Sequence, residues 1–296
     1  MPYIFILLAG VLWGIIPVFV KNLTAFNFTS LEIVALRVWF SSVLLGLFFL
    51  FSSKKFLTIE LKDLKFFVGT GIVSFVFFNY CYFNAIKMCS ISAAALLLYT
   101  SPVFVMLISL PVLKEKINLL KTAALLLTML GLSFITGIWN SAEPVSKAGL
   151  LFGLASGLGY AMYSIFGKFL VNKYHVLTIT FYTFLVASLG IIPLIDLPAL
   201  FGKLSCGNTL FSAFGIAFFC TILPFLAYTK GLSGVEAGKA AVLATAEPLV
   251  ATILGYLLYG ESLTLFKFIG MGLIFSAIVI LNKKEKSVHG LAVQDE

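Results

Sequence analysis

The sequence predicts an all-α integral membrane protein with ten transmembrane helices in two inverted five-helix repeats. Three observations carry this reading. Of the 296 residues, 61% are hydrophobic and only 11% are charged, with a mean hydropathy of +1.10. A soluble domain carries about a quarter charged residues, so these charges could not cover a water-facing surface. The apolar residues also fall into ten runs, each near the roughly 20 residues that cross a hydrocarbon core. Finally, landmarks of the first half of the chain return in the second half at a constant offset.

The runs are expected at 3–20, 30–51, 65–86, 91–112, 119–138, 148–170, 177–195, 209–229, 236–258 and 265–282, separated by charged or turn-rich breaks. The first ends at Lys21 and the second before Lys54 and Lys55. The first run lacks a basic leader and a small-residue cleavage site, so it reads as a helix and not a signal peptide. Lys65 and Lys87 bracket the third run, and Lys114 closes the fourth. The fifth follows Lys116, and the sixth lies between Lys147 and Lys173. His175 precedes the seventh, Lys203 the eighth and Gly234 the ninth, while Glu261 precedes the tenth. Runs of this length are helices, since barrel strands are far shorter. The polar stretch 283–296 is expected to be a cytoplasmic tail.

Orientation follows from the lysines. With the first residue on the cytoplasmic side, the inner segments hold Lys54, Lys55, Lys62, Lys65, Lys114, Lys116, Lys121, Lys168, Lys173, Lys230, Lys239, Lys283, Lys284 and Lys286. The outer segments hold only Lys21, Lys87, Lys147, Lys203 and Lys267. Both termini are therefore expected to be cytoplasmic, in a plasma or inner membrane. The net charge of +8 is explained by these retained lysines and not by a nucleic-acid partner. Cys81, Cys89, Cys206 and Cys220 have no CxxC spacing and read as small apolar residues.

An offset of 146 places Tyr82 on Tyr228, Ala94 on Ala240, Pro102 on Pro248 and Glu115 on Glu261. An offset of 147 places Trp13 and Gly14 on Tyr160 and Ala161, and Lys21 on Lys168. Repeats at 3–138 and 148–282 follow, with five crossings each. An odd number of crossings makes the second copy enter the membrane from the opposite side, an arrangement found in carriers that alternate access around a midplane site.

The motif E-P-L…G-E-S-L at Glu247, Pro248, Gly260 and Glu261, the glycines Gly270 and Gly272 of the last run, Trp13-Gly14 and Leu36-Arg37 resemble the EamA domain. This domain occurs in tandem in ten-helix carriers of the drug/metabolite transporter superfamily. The resemblance covers residues 3 to 282 and implies a carrier of small metabolites, with no cofactor. The first copy departs from the pattern, because Ser101 stands where the second has Glu247.

Candidate site residues come from the cost of placing charge in lipid. Glu247 lies 11 residues into the ninth run, roughly 16 Å deep and near mid-bilayer. It could hold a cationic group or a coupling proton, or merely bond a neighbouring helix beside Pro248, which frees a backbone carbonyl. Arg37 could meet a solute carboxylate, pair with Glu247 or Glu32, or snorkel outward. Trp13, Asn79, Tyr82, Tyr99, Ser101, Tyr160, Tyr163 and Tyr228 are the candidate walls of the solute site, with Thr100 and Tyr182 at similar depth. Aromatic faces can hold a cation, and tyrosine hydroxyls in lipid favour a wet cavity. Tyrosines near run ends could equally belong to the interfacial belt. Gly10 with Gly14, and Gly153 with Gly157, form small-residue faces that let helices approach closely. The glycosylation patterns at Asn22 and Asn27 read as chance matches in a short loop.

The sequence carries no phosphate-binding GxxxxGK[ST] loop, no HExxH and no catalytic histidine cluster, so neither a metal site nor enzymatic chemistry is expected. The expected function is secondary transport of a small solute, amino acids foremost, by export or exchange. A cationic amine or drug is the alternative substrate, and a non-transporting sensor or enzyme the alternative role. The sequence leaves oligomeric state open and allows protons as a second cargo.

Overall fold

The computed structural model describes residues 2–51, 54–140, 145–204 and 207–282. The expected tail at 283–296, with Lys283, Lys284 and Lys286, lies outside them, as does Cys206. Ten helices are long and apolar enough to cross a membrane. They are α1 Pro2–Ala25, α2 Ser30–Phe51, α3 Leu61–Met88, α4 Ile91–Leu113, α5 Leu119–Thr136, α6 Lys147–Leu170, α7 Val176–Leu194, α8 Gly207–Leu232, α9 Ala237–Tyr259 and α10 Leu265–Asn282. Nine begin or end within four residues of the runs expected from sequence, and α1 extends five residues further.

Backbone groups in lipid must be satisfied within their own segment, so the ends of these helices carry local caps. Ser90, Asn118 and Ser146 accept from the backbone N–H three residues on, at 3.2, 2.9 and 2.9 Å. Thr29 and Glu32 form a reciprocal capping box at the start of α2, with Thr29 N–H donating to Glu32 Oε2 at 2.6 Å. Lys114 after α4 and Gly260 after α9 adopt left-handed φ of 57° and 66°. Each lets the next N–H, of Glu115 or Glu261, reach back to Ser109 O or Gly255 O, at 3.1 and 3.2 Å. The two ends match at the offset of 146.

Packing follows the same correspondence. α1 packs on α8 and α9, and its counterpart α6 packs on α3 and α4; α2 packs on α7, and α5 on α10. Leucine and phenylalanine side chains left exposed on the outer faces, among them Leu47, Phe48, Leu126 and Phe275, are the surface that lipid would cover.

Three of the ten helices are interrupted, which periodicity did not anticipate. α4 breaks after Leu98 and resumes at Ser101; α9 breaks after Ala244 and resumes at Ala246; α1 breaks at Ile15 and resumes at Ile16. In α4 and α9 the cause is shared. Pro102 and Pro248 have no N–H to give to the carbonyls of Leu98 and Ala244 four residues back. The hydroxyls of Thr100 and Thr245 turn back onto Leu97 O and Val242 O at 2.6 and 2.5 Å. α3 and α8 each contain a π-helical stretch, Gly69–Val76 and Phe218–Ile222, which overlap under the 146 offset. π-turns of this kind recur at functional sites.

Candidate functional site

The break in α9 presents Glu247 in the first turn of the new segment. Tyr99, from the matching break in α4, donates to Glu247 Oε1 at 3.3 Å, and Tyr160 of α6 donates to Oε2 at 3.2 Å. One carboxylate is thus held by hydroxyls from two other helices. The breaks can lie this deep because small residues face them. A Cβ added at Gly14 of α1 would lie 2.8 Å from Glu247 O and 2.5 Å from Val250 Cβ; one at Gly157 of α6 would lie 2.7 Å from Leu97 O. The glycine faces seen in the sequence therefore seat the two breaks.

Glu247 lines a cavity of about 490 Å³, within the range of small-molecule sites. Trp13, Arg37, Asn79, Tyr82, Tyr99 and Tyr160 share that wall. The cavity extends past Val20 near the end of α1, Ile86 near the end of α3, Ser30 at the start of α2 and Ile91 at the start of α4. It therefore opens toward the face opposite the start of α1. Its floor is aromatic: Trp13 meets Phe225 at a centroid distance of 5.3 Å, and Phe225 meets Phe75 at 5.6 Å.

Below this floor is a residual space of about 30 Å³, lined by Ser101, Tyr163, Ser164 and Tyr228, room for about one or two waters. Tyr163 and Thr229 share a hydrogen bond of 2.7 Å, as do Ser164 and Tyr228. Of the candidate walls, Ser101, Tyr163 and Tyr228 are thus separated from the main cavity by the floor. Tyr228 is buried among helices and is not part of an interfacial belt. Tyr182 lies outside both spaces, with its hydroxyl on Leu57 O at 2.5 Å. Thr100 is spent in the α4 break. Asn79 reaches the cavity wall while its amide nitrogen serves Phe75 O at 2.7 Å.

Arg37 is 7% exposed and does not snorkel. Nε donates to Thr221 Oγ1 at 3.0 Å and one Nη to Cys220 O at 3.3 Å, both in the π-helical stretch of α8, with the guanidinium 5.3 Å over the Phe75 ring. The Thr221 hydroxyl, which itself donates to Ile216 O at 2.9 Å, and the Cys220 carbonyl are the two acceptors that the irregular stretch presents. Glu32 does not pair with Arg37: Lys203 takes its carboxylate at 2.7 Å. Two of the five guanidinium donors are thereby used, and three remain. Sequence reasoning missed Phe75, Phe78 and Phe225 as lining residues. With 31 phenylalanines in the chain, residue type alone could not distinguish them.

The opposite face is closed by polar contacts between the halves. The carboxylate of Glu115, just past α4, accepts from the first N–H groups of α9, Ala237 at 2.6 Å and Gly238 at 3.1 Å. Lys121 of α5 pairs with Glu236 at 2.8 Å, and Lys239 joins it at 3.3 Å. Burial pushes the Glu236 carboxyl up, but these two lysines outweigh it and hold the group below the ordinary glutamate value.

The EamA-like transporter family matches residues 1–137 and 147–283. A protein of Archaeoglobus fulgidus described as an uncharacterized transporter is 30% identical over 281 residues, covering 93% of this chain and 94% of the relative. The uncharacterized inner membrane transporter YicL of Salmonella typhimurium is 24% identical over 281 residues, 94% of this chain and 93% of its own. A solved crystal structure at 16% identity superposes with a TM-score of 0.78 over 95% of this chain and 96% of its own, a likeness of fold. The protein is a multi-pass membrane transporter and not an enzyme, and the chain belongs to the EamA-like transporter family.

Proposed function

We propose that the protein is a secondary carrier of a small zwitterionic metabolite, an amino acid or close relative, moved by export or exchange through alternating access. The observation that carries this reading is the presence of opposite charges on the wall of one cavity: Glu247 and Arg37 both line it. An ammonium group suits Glu247 and the faces of Trp13 and Tyr160. A carboxylate suits the donors that Arg37 has left. The apolar remainder, including Ile33, Val34 and Phe83, suits an apolar side chain. A cationic amine is the second reading, favoured by Glu247 and the aromatic rings but not by Arg37.

On this reading residues 3–138 and 148–282 act as two inverted repeats around the site, and 283–296 is a cytoplasmic tail. The lysine bias supports a cytoplasmic start for α1, so the cavity faces outward from the plasma or inner membrane. The solute and lipid are the partners, with protons as a second cargo if Glu247 carries one.

The test is binding and liposome uptake of labelled amino acids and of the matching amines. If Glu247 holds the ammonium, Glu247→Gln weakens both ligand classes by about 1–2 kcal/mol or more, on the order of tenfold. If it carries a coupling proton, binding survives and transport loses its dependence on a pH gradient. Arg37→Gln should weaken the amino acids while sparing the amines. Unchanged binding and unchanged gradient dependence in Glu247→Gln would remove that residue from the site.

A further inference from the structure

Glu115 and Glu261 occupy matching positions, one residue past the left-handed caps of α4 and α9. Six residues on, Lys121 matches Lys267. Between them Asn118 matches Thr264, and each of these accepts from the N–H of its lysine, at 2.9 and 3.3 Å. The two segments are therefore the same device in local structure, yet they are engaged differently. Glu115 reaches across to the other half and caps Ala237 and Gly238, while Lys121 reaches across to Glu236. Glu261 makes no such contact with the other half among the described residues. Its side chain folds back over Gly255, close enough that a Cβ there would lie 2.8 Å from Oε2, and pairs within its own half with Lys267 at 3.5 Å.

The groups that Glu261 would cap by the same correspondence are the N–H of Ile91 and of Ser92, at the start of α4. They lie at the open mouth of the cavity, where Ile91 is 69% exposed, whereas Ala237 is fully buried. The first two N–H groups of a helix have no partner within it, so each half offers the other half's glutamate a pair of donors that its own helix does not use. The residue under each glutamate differs as well: Ser109 sits beneath Glu115, where the second half has Gly255. Gly255 gives the disengaged carboxylate a place to rest.

We infer that Glu115 and Glu261 are alternating latches. In the state seen here Glu115 clamps the start of α9 and shuts one face. When that face opens, Glu115 lets go and Glu261 swings from Gly255 to cap Ile91 and Ser92, shutting the other face. The inference rests on the alternating-access reading and adds to it the two side chains that hold each end state. A ligand or contact shifts a conformational equilibrium only by its difference between the states. Each glutamate meets that condition because it bonds across the halves in one state alone.

Hydrogen exchange, followed by mass spectrometry on the full chain in lipid nanodiscs without solute, tests the proposal. Glu115→Ala should speed exchange at Ala237 and Gly238 on the order of tenfold, the scale of a lost hydrogen bond to a charged group. It should also slow exchange at Ile91 and Ser92, which lie more than 100 residues from Ala237 and Gly238 in sequence, as Glu261 engages. Adding Glu261→Ala to Glu115→Ala should abolish that slowing. Glu115→Gln, which retains an acceptor oxygen, should give the same pattern at smaller amplitude and guards against a misfolded alanine variant. Faster exchange at Ala237 and Gly238 with no change at Ile91 and Ser92, in both variants, would reduce Glu115 to a static helix cap and overturn the proposal. The readout needs no solute, so its failure is separate from that of the Glu247→Gln test.

Discussion

The breaks in α4 and α9 have the same geometry and different chemistry. Each has a threonine hydroxyl turned back on the preceding turn, a proline that cannot close the next one, and a glycine-bearing helix packed against it. Directly before the shared proline, α9 carries Glu247 and α4 carries Ser101. The surroundings have diverged to match. Tyr160 of α6 reaches Glu247, whereas its counterpart Trp13 is part of the floor. Tyr99, which also reaches Glu247, corresponds to Thr245, which bonds its own turn. The scaffold has kept its two-fold correspondence because broken helices and close approach are needed in both halves. The polar residues have not: Glu247 lines the larger cavity, and Ser101 lines the small space below its floor.

Moving the acid tests this comparison most severely. In the double variant Ser101→Glu/Glu247→Ser the carboxylate sits below the floor, beside the small space that Tyr163 and Tyr228 line and Tyr99 does not. Binding of the solute should fall by about 2 kcal/mol or more, as for a charge partner removed from an enclosed pair. It should not recover relative to Glu247→Ser alone. Recovery in a titration of the double variant would mean that the two breaks are chemically interchangeable.

The next effect concerns seating. Gly14→Val places new atoms against Val250 and the carbonyl of Glu247, and should lower stability by roughly 1–3 kcal/mol, as overpacking does. The equivalent position in α6 already carries the Cβ of Ala161. Thermal unfolding of Gly14→Val beside Ala161→Val tells whether α1, the only one of the two that is broken, fits its break more tightly.

The smallest effects separate the two sides of the floor. Tyr160→Phe removes one hydroxyl from Glu247 and should change solute affinity by about 0.5–1.5 kcal/mol. Tyr163→Phe removes a hydroxyl that serves Thr229 below the floor, and should leave affinity within about twofold while costing stability of the order of one hydrogen bond. Equal changes in affinity from both would mean that Trp13 and Phe225 do not divide the interior.

Composition and run length alone determined the ten helices, since lipid leaves a chain of this polarity no other way to satisfy its backbone. The register of Pro102 with Pro248 and Glu115 with Glu261 was also legible, because covalent spacing survives in the sequence whatever the fold. So was Glu247, because an acid deep in an apolar run is costly enough to stand out. Tertiary structure decided what those residues meet. Arg37 was open to Glu32, Glu247 and a solute, and two of its donors meet Thr221 and Cys220, because packing brings the π-helical stretch of α8 against it. Tyr163 and Tyr228 match Tyr99 and Tyr160 in type and depth, yet the floor separates them from the cavity. Depth along a helix can be counted from sequence, but in a chain apolar on every face the direction around the helix cannot. Only packing against α1, α6 and α8 sets which side faces the cavity.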